Sequence, residues 1–272
     1  MSPATVGAAF EKARADGRAA LVGYLPAGFP TVAGGIEAMR AMVAAGVDAV
    51  EVGFPYSDPT IDGPVIQAAN DRALAGGLRS ADVFRTVEAV AATGVPTLVM
   101  TYWNPVERYG VERFAASLAD AGGAGVITPD LIPDEAADWL AASDAHRLDR
   151  VFLVAPSSTD ARLTATAAAC RGFVYATSVM GVTGARARTS AAGPVLVARV
   201  RGVTDLPVGI GLGVGTGDQA AEVAGYADGV IVGSALVRCL LDADDLGEGV
   251  RAVAGLTADL AAGVARAGSV SG

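Results

Sequence analysis

The chain has 272 residues, 52% of them hydrophobic, with a formal net charge of −9 and a pI near 4.6. Such a chain can bury a large core, and its acidic balance argues against nucleic acid or an anionic membrane as partner. A phosphorylated substrate would need local compensation, most cheaply from backbone N–H groups and helix N-termini.

Taken in chain order, short β-rich runs alternate with alanine-rich helical patterns. Strands are expected at 20–25, 49–54, 97–102, 125–129, 151–155, 173–178, 208–212 and 229–232. Between them, 34–45, 80–92, 111–121, 134–142, 160–170, 194–201 and 218–226 read as helices, and Lys12 lies in a further helical pattern at the N-terminus. Strand–helix alternation implies a parallel sheet with right-handed crossovers. Eight such units in about 250 residues fit a closed (β/α)8 TIM barrel better than an open sheet. No linker or composition break appears, so residues 1–272 read as one domain, with 263–272 as a frayed tail. The first twelve residues show no apolar run of signal-peptide type, and no stretch reaches the roughly 20 apolar residues of a membrane span. A cytoplasmic protein is expected.

Some chemistries are excluded by what is scarce. His146 is the only histidine and sits in a polar stretch, Ser143-Asp-Ala-His-Arg147, which suits a surface or capping role. It supplies neither a histidine-rich metal site nor a Ser-His-Asp set, so no metal is expected. Lys12 is the only lysine and lies far from any strand end. Schiff-base and pyridoxal-phosphate (PLP) chemistry both need a lysine in the site, so no cofactor is expected in this chain. Cys170 and Cys239 show no metal or redox spacing and read as reduced, partly buried thiols.

Polar punctuation gathers after the strands, in loops that a barrel brings to one mouth. Glu51 stands inside an otherwise apolar strand. Val50 and Val52 would face the helices, and Glu51 and Gly53 the barrel interior. A buried carboxyl has its pKa raised toward neutrality, as a group that gives and takes protons requires. The alternative is a structural acid paired with an interior arginine, and no arginine lies in the expected strands. Asp62 follows eleven residues later in a Pro/Gly-rich loop, where Asp-Gly is also an ordinary turn dipeptide. Two carboxylates in different environments are the raw material of acid/base chemistry.

The run Gly-Leu-Gly-Val-Gly-Thr-Gly at 211–217 does not match the dinucleotide pattern G-x-G-x-x-G in either frame. A glycine loop after the seventh strand, with the short helix after the eighth, is where many barrels bind phosphate. That helix would start at Gly233-Ser-Ala-Leu236, with Ser234 as N-cap and anion contact. Tight packing alone would also account for the glycines. Gly181-Val-Thr-Gly184, with Arg186 and Arg188 behind it, lies in a long loop readable as a lid or as plain surface. Tyr102 and Tyr175 fall at strand ends. With Tyr24, Met100, Ile127, Leu153, Leu212 and Ile231 they line an apolar hollow or simply belong to the core.

From Glu51 to Gln67 the chain resembles the signature of the tryptophan synthase alpha subunit family, through Ser57-Asp58-Pro59 and Asp62-Gly63-Pro64. The resemblance continues in order through Met100-Thr-Tyr-Trp-Asn-Pro105, Pro129-Asp130, Gly181-Val-Thr-Gly184, Gly211-Leu-Gly213 and Gly233-Ser234. Thr60, Ile61 and Trp103 depart from the usual pattern, at loop positions and not at the acids. The resemblance implies a lyase of the phosphate-binding barrel type. Its reaction is the retro-aldol cleavage of indole-3-glycerol phosphate to indole and glyceraldehyde 3-phosphate, with indole passed to a PLP-bearing beta subunit in an alpha2-beta2 heterotetramer. It implies that Glu51 shuttles protons and Asp62 accepts the indole N–H. Tyr24, Tyr102, Tyr175, Thr183 and Leu212 would contact substrate, and Gly184, Gly213, Gly233 and Ser234 would hold phosphate. Pro55 and Asp58 would meet the partner. Three rivals remain at this level: a sugar-phosphate isomerase on the same barrel, a standalone lyase releasing indole, and a non-catalytic activator of a beta subunit.

Overall fold

A computed structural model describes residues 5–177, 192–211 and 213–268. Eight parallel strands close on themselves in chain order, β1 beside β2 round to β8 beside β1. They are β1 (Ala20–Pro26), β2 (Ala49–Gly53), β3 (Thr97–Met100), β4 (Gly125–Thr128), β5 (Asp149–Val154), β6 (Val174–Thr177), β7 (Val208–Gly211) and β8 (Gly229–Val232). The first six helices are α1 (Val6–Ala15), α2 (Val32–Ala45), α3 (Pro64–Ala75), α4 (Ser80–Ala91), α5 (Trp103–Tyr109) and α6 (Val111–Asp120). They are followed by α7 (Ala137–Ala145), α8 (Asp160–Ala169), α9 (Ala192–Arg201), α10 (Gly217–Ala224), α11 (Ser234–Leu241) and α12 (Leu246–Gly268).

The strands are apolar on both faces because helices cover the outside and side chains fill the inside. Two apolar clusters mark these layers. Val50, Val52, Val99, Phe152, Val174 and Ile210 pack outward against the helices. Ala20, Val22, Ala49, Leu98, Ile127, Val151, Phe173 and Ile231 fill the interior. The alternation expected around Glu51 is therefore present.

The barrel floor is closed by α1, which buries Val6, Phe10 and Ala13 in the interior cluster. Phe10 stacks on Phe173 at 5.1 Å between ring centroids. Thr5 caps the helix, its Oγ1 accepting from Ala8 N at 3.3 Å. The Val6 N–H crosses to Asp149 Oδ2 at 3.2 Å, fixing α1 to the start of β5.

Several sequence expectations are corrected. The tail expected from Gly263 is helical to Gly268, the end of a 23-residue α12. A Cβ at Gly263 would lie 2.1 Å from Gly217 O, so the residue permits close approach of α12 to α10 and is no mark of fraying. Leu260 and Val264 are buried beside it. Helices α3, α5 and α12 were not anticipated. The fifth strand begins two residues early and includes Arg150, against the expectation of arginine-free strands. Arg150 faces outward, donating to Ala169 O and Asp144 Oδ1, and never reaches Glu51. The third strand stops at Met100, leaving Tyr102 as N-cap of α5. Ser234 is the first residue of α11, and Gly233 holds the N-cap position expected of it.

His146 is the C-cap residue of α7, its Nε2 at 2.7 Å from Glu112 Oε1. Cys170 is buried and Cys239 half-buried, both as free thiols, and burial pushes Cys170 up to about 11.

Candidate active site

Glu51 lies on β2 between Tyr24 of β1 and Leu98 of β3 in the ladder register. It is 1% exposed, and neither carboxyl oxygen finds a hydrogen-bond partner among the described residues. Burial pushes its pKa from an ordinary 4.5 up to about 8. The alternative of a structural ion pair with an interior arginine is therefore gone. At neutral pH this carboxyl is mostly protonated and able to donate, and losing its proton does not require charging it far from its pKa.

Two tyrosines flank it. Tyr24 and Tyr175 are both raised well above the usual phenol range, first by burial, then by the Asp62 and Glu51 charges for Tyr24 and by the Glu51 charge for Tyr175. Tyr24 is also within electrostatic reach of Asp62, so both acids act on one phenol. Glycines make room for these rings. A Cβ at Gly53 would stand 2.3 Å from the Tyr24 hydroxyl, and one at Gly211 would stand 2.5 Å from the Tyr175 hydroxyl. Beneath them Ile127 and Ile231 are buried, with Met100, Leu153 and Tyr175 packed on the same cluster. Of the residues expected to line a hollow, these five therefore belong to the interior apolar cluster, whereas Tyr24 packs with the other.

Asp62 sits in the loop between β2 and α3 and is held from two sides. Tyr102 Oη donates to Asp62 Oδ1 at 3.0 Å, and Asn70 Nδ2 donates to Oδ2 at 3.1 Å. Gln67 Nε2 donates to the Asp62 carbonyl at 2.7 Å. Tyr102 Oη also accepts from Ile61 N at 3.1 Å. Burial raises the Asp62 pKa, and the Tyr102 and Asn70 hydrogen bonds oppose that rise. Tyr102, burial-shifted to about 12, remains a phenol and a donor. It holds Asp62, a contact that sequence reading had not assigned to it.

On the other side of β1, β8 and then β7 lead into the residues expected to hold an anion. Gly213 follows β7 with φ of 71°. Gly233 caps α11, whose first residue Ser234 is 8% exposed. The opening N–H groups of a helix have no intrahelical acceptor and, with the helix dipole, favour an anion. Gly233 also passes the Tyr24 ring, with a Cβ there at 3.2 Å from Cδ1. Thr183, Gly184 and Leu212 lie outside the described residues, as do Gly181, Arg186 and Arg188.

Asp130 caps α5: the Trp103 N–H donates to its Oδ1 at 2.9 Å and Oδ2 at 3.1 Å. Asn104 Nδ2 donates to Tyr56 Oη at 3.0 Å, so α5 also braces the loop before Asp62. In that loop Asp58 is exposed and accepts from Ser57 Oγ at 2.5 Å, whereas Pro55 is buried. Sequence reading missed Asn70 and Asn104. Recognising Gly63-Pro64 as a helix start would have placed Asn70 on α3.

Among the described residues no group of three or more His, Cys, Asp or Glu is placed to hold a metal. No described helix is long and apolar enough to cross a membrane.

The chain matches the family described as tryptophan synthase alpha chain over residues 10–264. It is 72% identical to the tryptophan synthase alpha chain of Salinispora arenicola over 259 residues, 95% of this chain and 97% of that one. It is 64% identical to the alpha chain of Acidothermus cellulolyticus, over 96% and 97% of the two chains. Among solved structures it superposes on tryptophan synthase from Mycobacterium tuberculosis with a TM-score of 0.90 at 59% identity, covering 95% of this chain and 97% of that chain. Subunit alpha from Legionella pneumophila superposes with a TM-score of 0.84 at 31% identity, covering 95% and 97%.

Proposed function

The chain belongs to the tryptophan synthase alpha chain family, and we propose that Glu51 and Asp62 carry out its retro-aldol cleavage of indole-3-glycerol phosphate. The observation that carries this reading is the buried carboxyl of Glu51, unpartnered among the described residues and shifted to about 8. Protonated Glu51 gives its proton to indole C3, and positive charge develops on the ring nitrogen. The Asp62 carboxylate accepts the indole N–H and stabilises that charge. Glu51, now a carboxylate, takes the proton of the glycerol hydroxyl next to the ring. The carbon–carbon bond breaks, its electrons return to the ring, and indole and glyceraldehyde 3-phosphate leave.

Tyr24 and Tyr175 close the site around the ring, and the interior apolar cluster excludes water. The α11 N-terminus with Gly213, Gly233 and Ser234 holds the phosphate, and Thr183, Gly184 and Leu212 belong to the same reading. The chain acts as one domain, in the cytoplasm, and itself needs neither metal nor cofactor. Its family implies a beta subunit as partner. The finer assembly is an alpha2-beta2 heterotetramer with PLP on beta, in which the exposed Asp58 is the contact and buried Pro55 shapes its loop. A standalone lyase is not favoured.

The deciding experiment is indole release from indole-3-glycerol phosphate by the purified chain, alone and with a beta subunit. Weak release that beta strongly raises is expected. Equal and fast release without beta would remove the channelled assembly, and no release in either case would remove the catalytic reading.

A further inference from the structure

Asn70 is an amide on the buried face of α3, whose other inward residues are the apolar Ile66, Ala69 and Ala73. It is 2% exposed, and its Oδ1 has no hydrogen-bond partner among the described residues. A buried amide with an unmet acceptor costs stability, and an alanine there would suit the helix better. A residue kept at a cost points to what its satisfied half does. Its Nδ2 lies 3.1 Å from Asp62 Oδ2. A carboxylate only accepts, so the amide must present its donor edge.

We propose that Asn70 is a positioning residue for the cleavage reaction: from α3 it fixes the Asp62 carboxylate as an ionised acceptor aimed at the substrate's ring N–H. The proposal rests on the assignment of Asp62 above. Tyr102 reaches Oδ1 from the start of α5 and Asn70 reaches Oδ2 from α3, so the carboxylate plane is set by two elements that do not share a loop. With Tyr102 alone, the carboxylate could rotate about its one remaining bond. A donor to a carboxylate favours its charged form, so removing Asn70 also makes Asp62 easier to protonate.

The test is the pH profile of kcat/KM for indole-3-glycerol phosphate cleavage by the chain with its beta subunit present. Asn70→Ala is expected to lower kcat/KM by about tenfold near neutrality, as for a lost hydrogen bond to a charged group. It should also move the acidic limb toward higher pH. A merely structural role would lower thermal stability and leave the limb where it was, and that result overturns the proposal. Asn70→Ser keeps a donor with shorter reach and should shift the limb less. If Asn70→Ala does not fold, Asn70→Leu, of similar size and without a donor, decides in its place, since a shifted limb supports the proposal and an unmoved one overturns it. Asp62→Asn separates the two readings. Full activity in that variant removes Asp62 itself from the mechanism, whereas a dead Asp62→Asn beside an unshifted Asn70→Ala removes only the role of Asn70.

Discussion

Two buried acids stand at opposite ends of the same barrel, and they are treated in opposite ways. Asp149 starts β5 at the floor, 6% exposed. It accepts the Val6 N–H and faces Arg171 Nε at 3.7 Å. Burial still raises its pKa, but the Val6 hydrogen bond and the Arg171 and Arg150 charges oppose the rise. Glu51, near the top of β2, is 1% exposed and has no partner among the described residues. An acid with a donor and a cation ties two elements together, whereas an acid with neither carries the full cost of its burial. Low exposure is common to both, so burial alone would have confused them. The partner list separates them.

The largest effect follows from removing the unpartnered acid. Glu51→Gln keeps the shape and loses the proton, so indole release should fall by about 10²–10⁴-fold, the usual worth of a positioned acid/base. Substrate binding and the circular dichroism spectrum should be unchanged. Turnover near the parent rate would show that the proton comes from elsewhere and would erase the contrast between the two ends.

The same acid gives a pH signature in stability. A carboxyl whose folded pKa is about 8 against an ordinary 4.5 binds its proton more tightly in the folded chain. The folded state is favoured by this group at low pH, and that advantage is lost as pH rises from 4.5 through 8. A shift of this size corresponds to about 5 kcal/mol at about 1.4 kcal/mol per unit. Urea unfolding of parent and Glu51→Gln from pH 5 to 9 should therefore diverge, the parent weakening and the variant staying flatter. Parallel curves would mean that water or a rearrangement relieves Glu51 in solution.

The barrel and the buried acid of β2 were readable because their signals are local. Period-2 valines around Glu51 declare which face is inside, and an acid on the inner face is conspicuous. Clustered glycines after the seventh and eighth strands mark the turns into α10 and α11. Asn70 and Tyr102 were not readable as partners of Asp62, because they are 8 and 40 residues away and meet only in the folded chain. Tyr102 was placed on a strand because the third strand was drawn two residues too long. The helical end of the chain was lost to its glycines, which look like breakers until α10 is seen packed against Gly263. Gly53 showed its orientation but not its purpose, since the ring it accommodates comes from the neighbouring strand.

The smallest effect belongs to the paired acid at the floor. Asp149→Ala leaves the Val6 N–H buried without its acceptor, which costs about 1–3 kcal/mol. The Arg171 guanidinium is not orphaned by the change, because it also donates to Leu148 O, Ser143 O and Asp144 Oδ1. The loss should thus stay at the lower end, seen as a lower urea midpoint with an unchanged slope. Cleavage by the folded variant should match the parent, since α1 is still seated by Phe10 against Phe173. An unchanged midpoint would show that apolar packing alone docks α1, while lost activity at full stability would mean the floor is felt at the mouth. The second route is physically specific: Phe173, which stacks on Phe10, also packs on Tyr175 at 6.2 Å between centroids, and the Tyr175 phenol is within electrostatic reach of Glu51.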